Sequence, residues 1–261
     1  MNILAQLSEQ AKRTQVAVMA GGEGKRMGYI NVPKPLIEIG GETLLGRCIR
    51  YMASNGFQEF IILTKFQEVV KEAEKLRAGG FNIRCSMDPP LRKVGKGKAL
   101  RHALETGAID AGRRVFVVFP DDLFLDESLP LRFLSSHIEA VNRLGVYGSV
   151  AVTAGLQLPY GYVEVDSLSL ATSFKEKPVL PIHASAGLYI LEPQALRILQ
   201  EVVDMNSEEA VEFESVLLPG LAEKGKLHAF IVPRDAWLPV NTLKELEEAT
   251  KTLKGQSQKQ L

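Results

Sequence analysis

Short runs of consecutive apolar residues alternate along this chain with longer stretches in which apolar residues return every three or four positions. The runs at 16–19, 60–63 and 115–119 are rich in apolar and β-branched residues and four or five residues long, and with the segment 83–87 they predict strands. Between them Leu45, Cys48, Ile49 and Met52, then Val69, Ala73 and Leu76, then Ala99, Leu100, Ala103 and Leu104 each form one apolar face at helical spacing. A further helix carries Leu134, Ile138 and Val141. Unbroken apolar strands separated by helices imply a parallel sheet covered on both faces, so the fold class is α/β.

From residue 149 the texture changes. The segments 149–154, 162–165 and 171–174 follow one another with short turns and no helical pattern between them, which predicts a small β-rich insertion. Residues 187–191 read as a strand returning to the main sheet, and helices are expected over 194–203 and 213–224. A last helix starts at the Thr242-x-x-Glu245 pattern and carries Leu246, Ala249 and Leu253. The expected organisation is an extension over 1–14, one domain over 15–254 with halves 15–148 and 149–254, and a frayed polar tail over 255–261.

Composition narrows the partners. Of the 261 residues 46% are hydrophobic, ample for a buried core, and 31 acidic residues balance 31 basic ones. That balance gives no general attraction to nucleic acid or to an anionic membrane, so phosphate-binding charge must be local. No apolar run is long enough to span a bilayer, and residues 1–14 contain Glu9, Lys12 and Arg13 without the apolar core of a signal peptide. The two cysteines, Cys48 and Cys85, suit reduced thiols in a cytoplasmic protein better than a disulfide framework. The four histidines, His102, His137, His183 and His228, show no catalytic or zinc spacing and are expected on helix faces or the surface.

The chemistry concentrates where the first strand ends. Val16-Ala17-Val18-Met19 runs into Ala20-Gly21-Gly22-Glu23-Gly24-Lys25-Arg26-Met27-Gly28, followed by Pro33-Lys34-Pro35-Leu36. Three glycines that free backbone N–H groups, with two cations and a further lysine, are how a chain surrounds a polyphosphate, and a nucleoside triphosphate is the natural occupant. A dinucleotide-binding loop is excluded because the third glycine falls one position late, with Met27 in its place. A kinase-type P-loop is excluded because Gly24-Lys25 precedes Arg26 and Gly97-Lys98 precedes Ala99, where Ser or Thr is required. Arg26 offers phosphate oxygens a planar fork, and Lys34 is stiffened by prolines on both sides. Asp121 and Asp122 follow the strand 115–119, where a carboxylate facing phosphates is the expected ligand of Mg²⁺.

This segment resembles the signature of the sugar-nucleotide pyrophosphorylases, the sugar-1-phosphate nucleotidyltransferases. The resemblance implies a Rossmann-like, mostly parallel sheet flanked by helices, with a nucleotide-binding first half and a sugar-phosphate-binding second half that includes the β-rich insertion. It makes Arg26 the activating arginine, Lys34 the phosphate lysine and Asp121 the metal ligand, and it assigns Ala20, Gly21, Gly22, Gly24 and Lys25 to the nucleotide. Val94-Gly95-Lys96-Gly97-Lys98-Ala99 is similar to the family's turn at the base, which adds Gly95 and Gly97. Gly161 and Glu176 would meet sugar hydroxyls, Lys177 the sugar's phosphate, and Ser185 and Gly187 would line the sugar pocket. The second metal ligand falls in Trp237-Leu238-Pro239-Val240-Asn241-Thr242, where Pro239 replaces the family's acid and Asn241 remains, with Asp235 as a fallback.

The implied reaction is transfer of a nucleotidyl group from a nucleoside triphosphate to a sugar 1-phosphate with Mg²⁺, releasing pyrophosphate. Pro120-Asp121-Asp122-Leu123 and the Gly95-x-Gly97 turn are most similar to glucose-1-phosphate uridylyltransferases and favour UTP or dTTP with glucose 1-phosphate, ahead of GTP with mannose 1-phosphate, which the Ser185-Ala186-Gly187-Leu188-Tyr189 strand also suits. The base-selecting glutamine of the family is absent, with Lys93 in its place. The alternatives are a guanylyltransferase of the molybdopterin or cobinamide-phosphate type, and a catalytically silent regulatory subunit that binds a sugar nucleotide. No nucleic acid or membrane partner is expected, and a homo-oligomer is compatible with the sequence.

Overall fold

The computed structural model describes residues 3–24 and 32–259. Arg26 and Lys25 therefore lie outside the described residues. In chain order the elements are α1 (Ile3–Arg13), β1 (Gln15–Met19), a 3₁₀ turn at Lys34–Leu36, β2 (Glu38–Ile39), β3 (Glu42–Thr43), α2 (Leu44–Ser54), β4 (Glu59–Thr64), α3 (Gln67–Ala78), β5 (Asn82–Met87), α4 (Gly95–Glu105), β6 (Val115–Val118), β7 (Asp122–Phe124) and α5 (Leu129–Leu144). The second half contributes β8 (Gly148–Thr153), β9 (Leu156–Gln157), β10 (Tyr162–Val165), β11 (Ala171–Lys175), β12 (Val179–Leu180), β13 (Ser185–Leu191), α6 (Pro193–Val202), α7 (Phe213–Val216), α8 (Leu218–Glu223), β14 (Leu227–Val232), a 3₁₀ turn at Arg234–Ala236, β15 (Trp237–Pro239) and α9 (Leu243–Lys259).

Seven strands form the central sheet in the order β14-β8-β13-β6-β1-β4-β5. β13 runs antiparallel to both neighbours, and the other pairings are parallel. The apolar runs are buried on both faces because a parallel sheet is covered on both. On β1, Val16 and Val18 point into one core layer, with Phe60, Ile62, Phe116 and Val118. Ala17 and Met19 point into the other, with Ile61, Leu63, Val115 and Val117. The period of two thus assigns each strand residue to one of two helix layers.

Four expectations change. α1 is part of the fold, since Ala11 is fully buried in the core and Leu7 packs against it. β8 belongs to the central sheet, so the insertion proper comprises β9 to β12, with β10 and β11 an antiparallel hairpin. The helix expected over 213–224 is two short helices, α7 and α8, divided at Leu217, with Pro219 in the first turn of α8 where its missing N–H costs nothing. α9 continues past Gly255 to Lys259, so the tail is helical there. Among the described residues no helix is long and apolar enough to cross a membrane.

The chain passes from β1 to β4 and β5 on one side, then crosses to β6 on the other side of β1. Strand order reverses between β1 and β6, and the loops leaving their carboxyl ends open a crevice at that switch point.

Candidate active site

A cleft of about 910 Å³ lies over the carboxyl ends of β5, β4, β1 and β6. Gly21, Gly22, Gly24, Lys34, Gly95, Asp121 and Asn241 all line it, so seven of the residues singled out in the sequence meet in one place. Ala20 lies beneath, fully buried, with its N–H donating to Leu63 O at 2.8 Å and its carbonyl accepting from Thr64 Oγ1 at 3.0 Å.

Lys34 is held from two directions. Its N–H donates to Gly22 O at 3.1 Å, tying the Pro33-Lys34-Pro35 segment to the glycine loop, and the Cβ missing from Gly24 would sit 3.4 Å from Lys34 Cβ. At its far end the ammonium donates to an oxygen of Asp121 and, at 2.9 Å, to Asn241 Oδ1. Asp121 and Asn241 are adjacent because the short strands β7 and β15 pair antiparallel, with Trp237 opposite Phe124 and Pro239 opposite Asp122. Val240 N–H extends that ladder to Asp121 O at 2.8 Å. Proline fits this edge because an edge strand can spare an N–H. Asp235, the fallback ligand, is exposed on the 3₁₀ turn Arg234–Ala236 and is not part of the cleft.

Asp122 has a different position from its neighbour. Its Oδ1 accepts from Trp237 Nε1 at 2.8 Å, and burial, reinforced by the charge of Asp121, pushes its pKa up to about 7. Its other oxygen packs on Gly187, where a Cβ would lie 2.0 Å away and φ is +76°. The structure thus gives Gly187 a packing reason: any side chain would displace the pin between β7 and β15.

The Gly95-x-Gly97 turn opens α4. A Cβ on Gly95 would lie 2.6 Å from Val211 O, and one on Gly97 2.7 Å from the same oxygen. Gly97 N–H donates to that carbonyl at 2.7 Å, and Glu212 Oε2 accepts from Lys96 N–H at 3.1 Å. Segment 211–212 therefore occupies N–H groups at this helix start, and Gly95 reaches the cleft whereas Gly97 does not. Lys96 was not singled out in the sequence, yet it lines the cleft with its ammonium 5.2 Å from the Phe119 ring centre and paired with Glu214 at 2.5 Å. Burial works against its charge, but Glu214 and Glu212 outweigh that and hold its pKa above the ordinary lysine value. Lys93 pairs with Glu209 at 2.7 Å on the cleft's rim.

The sugar-side residues stand apart from this cleft, on the insertion and β13. Glu176 and Gly161 face each other across the β10–β11 hairpin, with Glu176 Oε2 3.3 Å from the position of a Gly161 Cβ. Lys177 is exposed with φ of +44°, and its carbonyl accepts from Gln157 Nε2 at 3.1 Å. Ser185 Oγ and Tyr189 Oη lie 2.8 Å apart.

Among the described residues no group of three or more His, Cys, Asp and Glu side chains is placed to hold a metal alone. Asp121 and Asn241 nonetheless present oxygens to a shared cation, the Lys34 ammonium, and one carboxylate with one amide oxygen is the kind of partial oxygen donor set that Mg²⁺ completes with phosphates and water. No histidine lines the cleft, and His137 lies on a helix face as expected, the buried face of α5, between Ser149 and Glu192.

Comparison with known proteins agrees with the fold. Residues 15–256 match the family model described as nucleotidyl transferase. Relatives include the mannose-1-phosphate guanyltransferase of Kluyveromyces lactis, 25% identical over 240 residues covering 89% of this chain and 63% of the relative. Those of Saccharomyces cerevisiae and Schizosaccharomyces pombe are 26% and 24% identical over 245 and 237 residues, covering 89% and 87% of this chain and 63% and 61% of the relatives. The chain thus spans less than two thirds of the length of these relatives.

Proposed function

The chain belongs to the nucleotidyl transferase family, and from that premise we propose that it transfers a nucleotidyl group from a nucleoside triphosphate to a sugar 1-phosphate, releasing pyrophosphate. The observation that carries this reading is the meeting of Lys34 with Asp121 and Asn241 beside the glycine loop. The relatives' activity, as their name states it, favours GTP with mannose 1-phosphate over UTP or dTTP with glucose 1-phosphate. Two unpaired thiols, Cys48 buried and Cys85 half-buried, support a cytoplasmic setting.

In this reading a phosphate oxygen of the sugar 1-phosphate attacks the α-phosphorus. The bond from the α-phosphorus to the bridging oxygen breaks, and pyrophosphate leaves with that electron pair. A sugar phosphate dianion is already an adequate nucleophile, so alignment and charge neutralisation dominate. Gly21, Gly22 and Gly24 let the backbone approach the triphosphate, while Lys34, and Arg26 by resemblance, neutralise it. Asp121 and Asn241 would hold Mg²⁺, which neutralises developing charge on phosphate oxygens when bound. Lys177 would bring the second phosphate from the insertion side, with Glu176, Gly161 and Ser185 on the sugar.

The test is pyrophosphate release across a matrix of nucleoside triphosphates and sugar 1-phosphates with Mg²⁺. Turnover on at least one pair is expected, with Asp121→Asn and Arg26→Ala each lowering it at least about tenfold. No release from any pair by folded protein would sink the reading.

A further inference from the structure

The β10–β11 hairpin is a sheet of its own, each strand paired only with the other. A two-stranded hairpin alone is marginally stable in water and needs a third strand or an apolar surface to pack on. Among the described residues this one has neither, since no side chain from 156 to 184 joins a hydrophobic core of the chain.

Its register sorts the side chains into two faces. Tyr162 lies opposite Lys175 and Glu164 opposite Ser173 on one face, where Tyr162 and Ser173 are half-buried. Val163 lies opposite Phe174 and Val165 opposite Ala171 on the other, and that face is open. Leu168 and Leu170 extend it at the tip, in a turn that Asp166 fixes by accepting from both of their N–H groups at 2.9 Å, and Tyr160 extends it at the base. These six large apolar residues are 43–77% exposed.

The size of the face indicates what covers it. At about 60–120 Å² for a fully exposed aliphatic side chain and about 200 Å² for an aromatic one, the six present roughly 500–600 Å² of apolar surface. One side of a standard interface is about 800 Å², of which about 60% is apolar, so the hairpin supplies what one copy contributes to a dimer. A sugar 1-phosphate, with its hydroxyls and its dianion, is too polar and too small to cover it. Charge also favours a second copy of this chain: 31 acidic residues balance 31 basic ones, and around the face Glu164, Asp166 and Glu176 stand against Lys175 and Lys177. Two copies therefore meet without a field of one sign to hold them apart, and the face offers no such field to select an oppositely charged partner.

We propose that the open face of the β10–β11 hairpin is the interface of a two-fold dimer, Val163, Val165, Leu168, Leu170 and Phe174 of one protomer packing on the same residues of its partner. A two-fold axis sets the patch against itself, so apolar surface meets apolar surface, and each hairpin gains the second layer that it lacks in its own chain.

Sedimentation velocity and light scattering on the wild-type chain from about 1 to about 100 µM test this without any substrate, so the outcome is independent of nucleotidyl transfer. A species of twice the 28.7 kDa chain mass is expected within that range, with a Tm that rises with concentration. Leu168→Asp and Val165→Asp, both away from every residue assigned to substrate, should each raise the dimer dissociation constant at least about tenfold. Amide hydrogen exchange across β10 and β11 of the wild type should slow as the dimer forms. A wild-type chain that stays monomeric at about 100 µM overturns the proposal and leaves the face to another segment of a longer chain or to a different protein. A dimer that keeps wild-type strength in both folded variants overturns it as well, and so do hairpin amides whose exchange is independent of concentration.

Discussion

The Lys34 ammonium donates to the Asp121 carboxylate across 87 residues of chain, and it does so in the space between Asp121 and Asn241 where a divalent cation would bind. The lysine side chain is only 12% exposed, because Pro33 and Pro35 hold its backbone against the glycine loop. The contact keeps one oxygen of Asp121 and one of Asn241 ordered at the cleft. Lys34→Ala should lower turnover by about a hundredfold with little change in Tm, and Lys34→Arg should restore little of it, since a guanidinium fork cannot take the place of a compact ammonium. Steady-state kinetics and a melting curve on each variant would check this, and near wild-type kcat/KM in Lys34→Ala would remove the lysine from the chemistry.

Gly95 and Gly97 are glycines because Val211 is close. Alanine at 97 would drive a Cβ to 2.7 Å from the Val211 carbonyl, closer than real contacts allow, in backbone that has other constraints from the Gly97 hydrogen bond. Gly97→Ala should destabilise the protein by about 1–3 kcal/mol. Gly95→Ala adds a strained φ of +75° and should cost more, while Gly107→Ala, with φ of +72° and no neighbour within 4 Å, should cost only about 1–2 kcal/mol. Urea denaturation of the three variants gives the order directly.

The part of this architecture legible in the sequence is what repeats with a period. The buried strands β1, β4 and β6 read as unbroken apolar runs, and the rule that ligands lie beyond strand ends then led to the glycine loop and to Asp121. β14 was missed although Ala229-Phe230-Ile231-Val232 is an apolar run, and it forms one edge of the sheet. The β7–β15 ladder is three residues long on each side, too short to carry any period, yet it alone brings Asn241 to Asp121. Segment 204–212 has no motif at all, and its contact with Gly95 and Gly97 is a tertiary fact that the glycine spacing could equally have owed to a phosphate.

Lys98 is fully buried, and among the described residues its Nζ forms no ion pair with a carboxylate. It donates to Ser207 O at 2.6 Å and Lys93 O at 3.2 Å, bridging segment 204–212 to the 93–95 wall of the cleft. Lys98→Met keeps the bulk but leaves those two carbonyls unpaired, which should cost about 1–3 kcal/mol. It should also raise the KM for nucleoside triphosphate more than it lowers kcat, because in the proposed reading the wall that moves would meet nucleotide and not the reacting phosphates. A loss confined to kcat would contradict that division.

Lys177 is exposed on the insertion, away from the nucleotide cleft. If it meets the second substrate's phosphate, Lys177→Ala should raise the KM for sugar 1-phosphate at least about tenfold while leaving nucleotide affinity unchanged. Initial rates with each substrate varied in turn would separate the two, and an equal rise in both KM values would place Lys177 elsewhere.

His137 supplies a pH dependence remote from the cleft. Its Nδ1 lies 2.8 Å from Ser149 Oγ and its Nε2 2.9 Å from Glu192 Oε1, which also accepts from Arg114. Burial holds the His137 pKa below its ordinary value despite the pull of Glu192, so the folded protein keeps the ring neutral. The unfolded chain takes up a proton near the usual histidine pKa of about 6.5, so below that pH it binds more protons than the fold and stability falls. Glu192 contributes in a lower window. Burial alone would raise its pKa, but His137 and Arg114 outweigh that and lower it, so its stabilisation persists until pH falls through the folded value, under the normal carboxylate range. His228, 3.2 Å from Ser149 Oγ and also shifted down by burial, adds to the loss with the same sign as His137. Tm should therefore drop between pH 7.5 and 5.5, by about 2–4 °C for each kcal/mol in a chain of this size. His137→Gln should melt lower at pH 7.5 and show a shallower slope, with the residue of the slope due to His228. A Tm that holds or rises as pH falls through this window would mean that the buried imidazole is already charged in the fold.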